Sequence, residues 1–388
     1  VSAMIEGLRS GLSFDDVLLV PGRTRARSRA DITLASRFSR RIALALPLVS
    51  ANVPWCTQAP MAIALGRLGG LGVLHRMCAI EDQERQVALV KAAPVDGEDA
   101  ARATVDDGGA LIAAAAVGAK PEDLERADRL VAAGCDALVV DIAHGHADYA
   151  LDTIAALKSR HPQIDVIGGN VATAEGTADL IAAGADAIKV GIGPGGICTT
   201  RRVAGAGVPQ MTAIADCVGV ARARNVPVIA DGGIRFSGDI VKALAVGAAS
   251  VMLGSLLAGT DESAAVFIDH QGRRCKATTG FVTLGVGLTR KRLRGEKINA
   301  EDLDAYVAEG VESTFEASGP LARLIGQLAG GIRSGVSYGG ALSIAELQDK
   351  ARFIRVSEAG RAESRPHALD RAPAPPPDYA RLFVEEEA

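Results

Sequence analysis

Residues 191–200 read GIGPGGICTT: four glycines, one proline and one cysteine in ten positions. Two readings compete. Gly191, Gly193 and Gly196 spell G-x-G-x-x-G, which suggests a dinucleotide fingerprint. Alternatively, Cys198 is a thiol held by backbone rather than by apolar side chains. The surroundings decide. A dinucleotide fingerprint opens a helix in an early βαβ unit, with an acidic residue on the next strand. Here the glycines follow the sixth apolar run, and ICTTRRVAGAGVPQ comes next, which is not an amphipathic helix.

Outward from that loop, short apolar runs alternate with helical patterns. The runs are ALPLVSANV, LGVLHR, LIAAAAVGA, ALVVDIAHG, DVIGGNVA, AIKVGIG, PVIADGG and SVMLGSLLAG. A helical stretch follows each, including PEDLERADRLVAAG, whose Pro121 suits a first turn. Eight βα units argue for a (β/α)8 barrel, with a doubly wound sheet as the alternative, since periodicity does not report closure. On a barrel the cysteine loop lies at the C-terminal mouth, where catalytic groups gather.

Composition agrees. The 388 residues are 48% hydrophobic but only 3% aromatic, with 44 glycines, as parallel strands buried on both faces require. The net charge of −4 gives no sign of nucleic-acid binding. No signal peptide and no bilayer-length apolar run is read, so no membrane partner is expected. The six cysteines are scattered without a C-x-x-C, which points away from disulfides and zinc and toward a reducing cytoplasm. Three segments stand outside the repeat. Residues 91–110 read as a linker, 270–320 as a lid or functional loop, and the tail from 366, with APAPPP, as extended chain.

Cys198 is the candidate nucleophile. Loop N–H groups and the nearby Arg201 favour thiolate there, whereas the other cysteines sit in apolar or helical patterns. ADGGI (230–234) and LGS (253–255) follow the seventh and eighth strands, where barrels often hold phosphate on glycine amides. Asp231 would repel phosphate, which suits it to ribose hydroxyls. Asp141 ends the fourth strand as a ribose or amide anchor. His144 and His146 lack a third metal ligand nearby. RKRLRGEK (290–297) is either a solvated surface or an attractor of phosphate-bearing ligands.

Taken together, LSFDDVLLVPG, GGNVAT, KVGIGPGGICTTR, GVPQMTAI, ADGGIRFSGDI, VMLGSLLAGT, GGIRSGVSYGGA and ARFIRV resemble the family of IMP dehydrogenases and GMP reductases, closest to an actinobacterial type of GMP reductase. The resemblance implies a single catalytic barrel over 1–365, a flap over 281–316 and a tail over 366–388. Many members carry two CBS modules between the second helix and third strand, and residues 91–110 are too short for them. It implies that Cys198 attacks C2 of a purine nucleotide, with Thr200 and Glu309 handling protons. Ser50, Gly196, Asp231, Gly232, Gly233, Gly254, Ser255 and Gly280 would bind that nucleotide, although the family usually has serine where Gly196 stands. Asp141, Ile142, Ala143 and Gly191 would face the nicotinamide cofactor, NADPH or NADH. Carbonyls of Gly193, Gly195 and Cys198 would hold a monovalent cation such as K⁺. A homotetramer or octamer is implied.

The two family reactions share the cysteine adduct. The dehydrogenase then hydrolyses it, using an Arg-Tyr pair on the flap. Here Tyr306 follows Ala305, and Asp141 is followed by Ile142 and Ala143 rather than by two serines. Both departures favour GMP reductase, with IMP dehydrogenase as the alternative should Arg201, Arg290, Arg292 or Arg294 serve as base. A catalytically retired nucleotide sensor is a third reading, against which Cys198, Thr200 and Glu309 all stand.

Overall fold

The computed structural model describes residues 7–270, 272–278 and 313–364. Eight strands form a closed barrel: β1 (Leu48–Ser50), β2 (Leu71–Leu74), β3 (Ala114–Val117), β4 (Ala137–Asp141), β5 (Asp165–Val171), β6 (Ala187–Val190), β7 (Val228–Asp231) and β8 (Ser250–Leu253). Every neighbouring pair is parallel, and Leu253 opposite Ser50 closes the ring. The architecture is a TIM barrel, and the doubly wound alternative is excluded.

Strand alternation explains the composition. Ala114, Ala116, Ala137, Ala187 and Ile229 point into the barrel, where little room remains. Their neighbours Ala115, Val117, Leu138 and Ile188 pack outward under the helices. Seven of those helices come in turn after β1–β7: α1 (Ala59–Arg67), α2 (Ile80–Ala92), α3 (Pro121–Ala132), α4 (Asp148–Arg160), α5 (Ala174–Ala182), α6 (Gln210–Ala221) and α7 (Ser237–Ala245), of which α6 is reached only after the cysteine loop and a one-turn helix at Thr200–Val203. Pro121 sits in the first turn of α3 as read.

The eighth unit departs from expectation. SVMLGSLLAG leads into a series of turns rather than a helix. The closing helix, α8 (Leu321–Tyr338), comes only after the long insertion and packs on α7. Gly331 and Gly335 allow that contact, since a Cβ on either would strike Ser237 or Val241 of α7 at 2.3 and 2.4 Å. Within the insertion, Val266–His270, Arg273–Thr278 and Ser313–Glu316 form an antiparallel sheet, so the segment read as a loop has a strand base. Gly280, Glu309, the basic cluster, residues 281–312 of the flap and the tail lie outside the described residues. The 91–110 linker is tied down, with Lys91 Nζ 2.7 Å from Asp106 and 3.0 Å from Asp136.

Candidate active site

The C-terminal ends of the strands open into a cleft of about 450 Å³. The cysteine loop forms one wall. It leaves β6 at Gly191, where a Cβ would sit 2.1 Å from the Asp231 carbonyl, so only glycine lets the loop cross β7 this closely. Gly193 is left-handed at φ +73°. The Arg201 stem runs between Gly193 and Gly207, whose Cβ atoms would meet its Cγ at 2.6 and 2.8 Å. Arg201 then donates to the Ile192 carbonyl (3.1 Å) and the Val208 carbonyl (2.6 Å), tying both ends of the loop together.

Within this frame the Cys198 N–H donates to the Gly195 carbonyl at 3.1 Å. The Cys198 Sγ lies 3.1 Å from Thr200 Oγ1. Cys198 is partly exposed to the cleft, while Cys56, Cys135, Cys217 and Cys275 are buried. Burial pushes the thiols of Cys56 and Cys135 up to about 12, and those of Cys78 and Cys217 to about 11. Those four are held as unreactive thiols. Cys198 and Thr200, both expected to be catalytic, stand side by side on the cleft wall.

Opposite the loop, Gly232 and Gly233 turn at φ +88° and +81°, and with Gly254 and Ser255 they line the cleft. Gly196 faces this group. A Cβ there would meet nothing nearer than Ser255 Oγ at 3.8 Å. Ser50 differs from expectation. It is fully buried, and its hydroxyl accepts from Thr57 Oγ1 at 2.8 Å, so it braces the wall from behind while Ala51 and Asn52 face the cleft.

The floor holds a group that the sequence reading passed over. Lys189, 2% exposed on β6, places its Nζ 2.7 Å from Asp141 and 2.6 Å from Asp231. Asn170 Nδ2 also donates to Asp231, at 2.9 Å, and to the Gly191 carbonyl at 2.7 Å. Gln210 Nε2 donates to the carbonyls of Val190 and Asp231. Burial is the largest influence on Asp141 and acts upward. The charges of Lys189 and Arg76, with hydrogen bonds from Lys189 and Asn52, more than offset it and hold the carboxyl below its ordinary value. Burial likewise opposes the Lys189 charge, but the two aspartates outweigh it and raise the ammonium pKa. A signal was available: a lysine inside an otherwise apolar strand, AIKV, has to meet a carboxylate. Ile142, Ala143 and Gly191 line the cleft beside Asp141. His146 is paired with Asp179 at 2.8 Å.

A family model described as the IMP dehydrogenase / GMP reductase domain matches residues 11–367. The chain belongs to that family. Its members are nicotinamide-dependent oxidoreductases of purine metabolism. The chain is 36% identical to an inosine-5′-monophosphate dehydrogenase of Nitrosopumilus maritimus, with 92% of this chain and 98% of that protein covered. It is equally 36% identical to a GMP reductase of Leishmania major, covering 94% and 98%. A cysteine-to-alanine variant of GMP reductase from Trypanosoma brucei, in complex with guanosine 5′-monophosphate, superposes with a TM-score of 0.89 at 34% identity, over 94% of this chain and 99% of that one. Family members of both names stand equally near, so the direction of reaction has to be argued from the site.

Proposed function

We propose that this protein is a GMP reductase, converting GMP to IMP and ammonia at the expense of NADPH or NADH. The observation that carries the reading is the state of the arginines. Two arginines line the described cleft. Arg201 is bonded to two backbone carbonyls, and Arg235 to Asp15 at 2.5 Å. Neither is available to activate water. The chain also lacks the Arg-Tyr pair at Tyr306. With no arginine of the described cleft free to activate water, the adduct is left to accept hydride.

Cys198 Sγ bonds C2 of GMP, and the 2-amino group leaves as ammonia with a proton delivered through Thr200 and Glu309. Bound nicotinamide supplies hydride. C2 gains that hydride, the C–S bond breaks, and IMP leaves with the Cys198 thiolate restored. Asp231 orients the ribose, while Gly232, Gly233, Gly254 and Ser255 hold the 5′-phosphate on backbone N–H and hydroxyl donors. Asp141, Ile142 and Ala143, which line the cleft, would hold the cofactor. These residues fit such ligands: the Asp231 carboxylate lines the cleft and keeps about a fifth of its surface open, an acceptor for ligand hydroxyls. Carbonyls of Gly193, Gly195 and Cys198 suit a monovalent cation, being neutral hard oxygens with no carboxylate among them. A cytoplasmic homotetramer completes the proposal.

The test compares two assays on the purified protein. GMP with NADPH or NADH is expected to oxidise the cofactor and release ammonia, with little XMP formed from IMP and NAD. Robust XMP formation without GMP-dependent cofactor oxidation overturns the reading and makes the protein an IMP dehydrogenase.

A further inference from the structure

One buried charge has no part in that reaction. Lys276 lies in the middle strand of the insertion sheet, Arg273–Thr278, and is 1% exposed. A buried lysine ordinarily meets a carboxylate, because its charge is costly to desolvate. Here its acceptors among the described residues are all neutral. The ammonium donates to the carbonyls of Thr260 (2.6 Å), Asp261 (3.2 Å) and Ser263 (2.9 Å), and to Ser263 Oγ (3.0 Å). The Phe267 ring centroid lies 4.4 Å from the same nitrogen.

That cage is the far end of a run of turns that begins in the cleft. Gly254 and Ser255 line the cleft immediately after β8. The Leu257 N–H donates to the Gly254 carbonyl at 2.9 Å, and the Ala258 N–H to the Ser255 carbonyl at 3.3 Å. Thr260 then donates to the Leu257 carbonyl through both its N–H and its hydroxyl. Ser263 Oγ donates to the Ala258 carbonyl at 2.7 Å while it accepts from Lys276. A continuous path of hydrogen bonds thus joins the Lys276 ammonium to Ser255 through Ser263 and Ala258. No helix stiffens this run, and the ammonium gathers three of its carbonyls about one point.

We propose that Lys276 is a positioning residue for nucleotide binding: its ammonium sets the turns of 257–263, and through them the Gly254–Ser255 turn that receives the phosphate. The proposal rests on that turn holding the phosphate and not on the direction of reaction, since GMP and IMP carry the same phosphate.

Equilibrium dialysis of Lys276→Ala, without cofactor, is expected to show GMP and IMP bound about tenfold more weakly than by the wild type. Guanosine, which lacks the phosphate, is expected to bind both proteins equally. Added n-propylammonium replaces the deleted stem and ammonium and is expected to restore most of the GMP affinity. Tetramethylammonium, with no N–H to donate, is expected to restore none. Unchanged GMP affinity in Lys276→Ala overturns the proposal. Equal weakening of guanosine overturns it too, since the whole site has then loosened, and so does a loss that propylammonium does not restore. Should Lys276→Ala fail to fold, Ser263→Ala keeps the lysine and removes the hydroxyl that links it to Ala258. That variant is expected to bind GMP several-fold more weakly, and unchanged affinity there rejects the path. Ser255→Ala, measured alongside, separates two failures. If it weakens GMP while Lys276→Ala does not, only the positioning role falls; if neither does, the phosphate assignment falls as well. Formation of XMP from IMP would reject the reductase reading while leaving the Lys276 result standing.

Discussion

Lys189 balances two carboxylates with one charge, and removing it leaves the buried Asp141 and the partly exposed Asp231 without that partner. Lys189→Met is expected to cost about 3–5 kcal/mol, read as a loss in urea unfolding free energy. The pH dependence should also reverse. In the wild type, Asp141 is held low, so its contribution is present above the ordinary carboxylate value of about 3.9 and disappears as pH falls through its lowered folded value. Lys189 is held high, so its contribution is complete below its ordinary value of about 10.4 and disappears as pH rises through the raised one. In Lys189→Met, burial dominates Asp141 and raises its pKa. That variant should become more stable between pH 7 and pH 5, where the pair keeps the wild type level. Cys198→Ser should retain nucleotide binding while turnover drops on the order of 10⁴-fold or more. Gly196→Ser meets no steric barrier and adds a hydroxyl facing Ser255, so the KM for GMP should fall about tenfold. An unchanged KM would show that position 196 does not reach the nucleotide. At this scale Cys198 and Asp231 could be read from the chain, because a glycine loop and a strand end advertise themselves. Asn52 and Asn170 could not, because their partners, Asp141 and Asp231, stand on other strands.

The cysteine loop is an element held by an interlock. Arg201 fills the space that side chains at 193 and 207 would occupy, so part of the cost of a side chain at either position falls on Arg201, beyond the backbone strain at φ +73° and +150°. Gly207→Ala alone should abolish most activity by displacing Arg201 from the Val208 carbonyl. Gly207→Ala combined with Arg201→Ala should lose far less than the sum of the two single losses, a non-additivity measurable as a double-mutant cycle on kcat/KM. Additive losses would refute the interlock. The elements themselves were legible wherever a helix must follow its strand directly. Helix α8 was misplaced because the apolar run at 250–259 continues past the strand end, and periodicity does not distinguish buried turns from a buried helix. The antiparallel sheet at the base of the insertion was missed because its strands are half-exposed and charged, as in Arg273–Thr278.

For the whole molecule, ring closure leaves no exposed edge in the barrel, and the two ends of the described chain meet beside the cleft. Val17–Leu19 pairs with Phe353–Arg355, and Arg361 binds Asp16 at 2.6 Å, immediately after the cleft residues Phe14 and Asp15. Truncation after Lys350 should free this N-terminal arm. Nucleotide KM should rise several-fold while the thermal midpoint shifts little; a collapse of both would mean that the ribbon is part of the barrel's stability. The barrel was legible because eight strand-helix repeats leave few ways to cover every strand. The reach of the termini was not, because pairing across more than 300 residues has no local signature. One consequence concerns communication across the cleft. Lys189 is shared between Asp231 and Asp141, which the proposed reaction puts against nucleotide and cofactor respectively, so an occupant that draws on one carboxylate alters the hold on the other. Thermodynamic reciprocity then requires the two ligands to change each other's affinity by the same factor, whichever binds first. Order of binding would be a matter of rates, with the equilibrium cross-talk written into a single ammonium group.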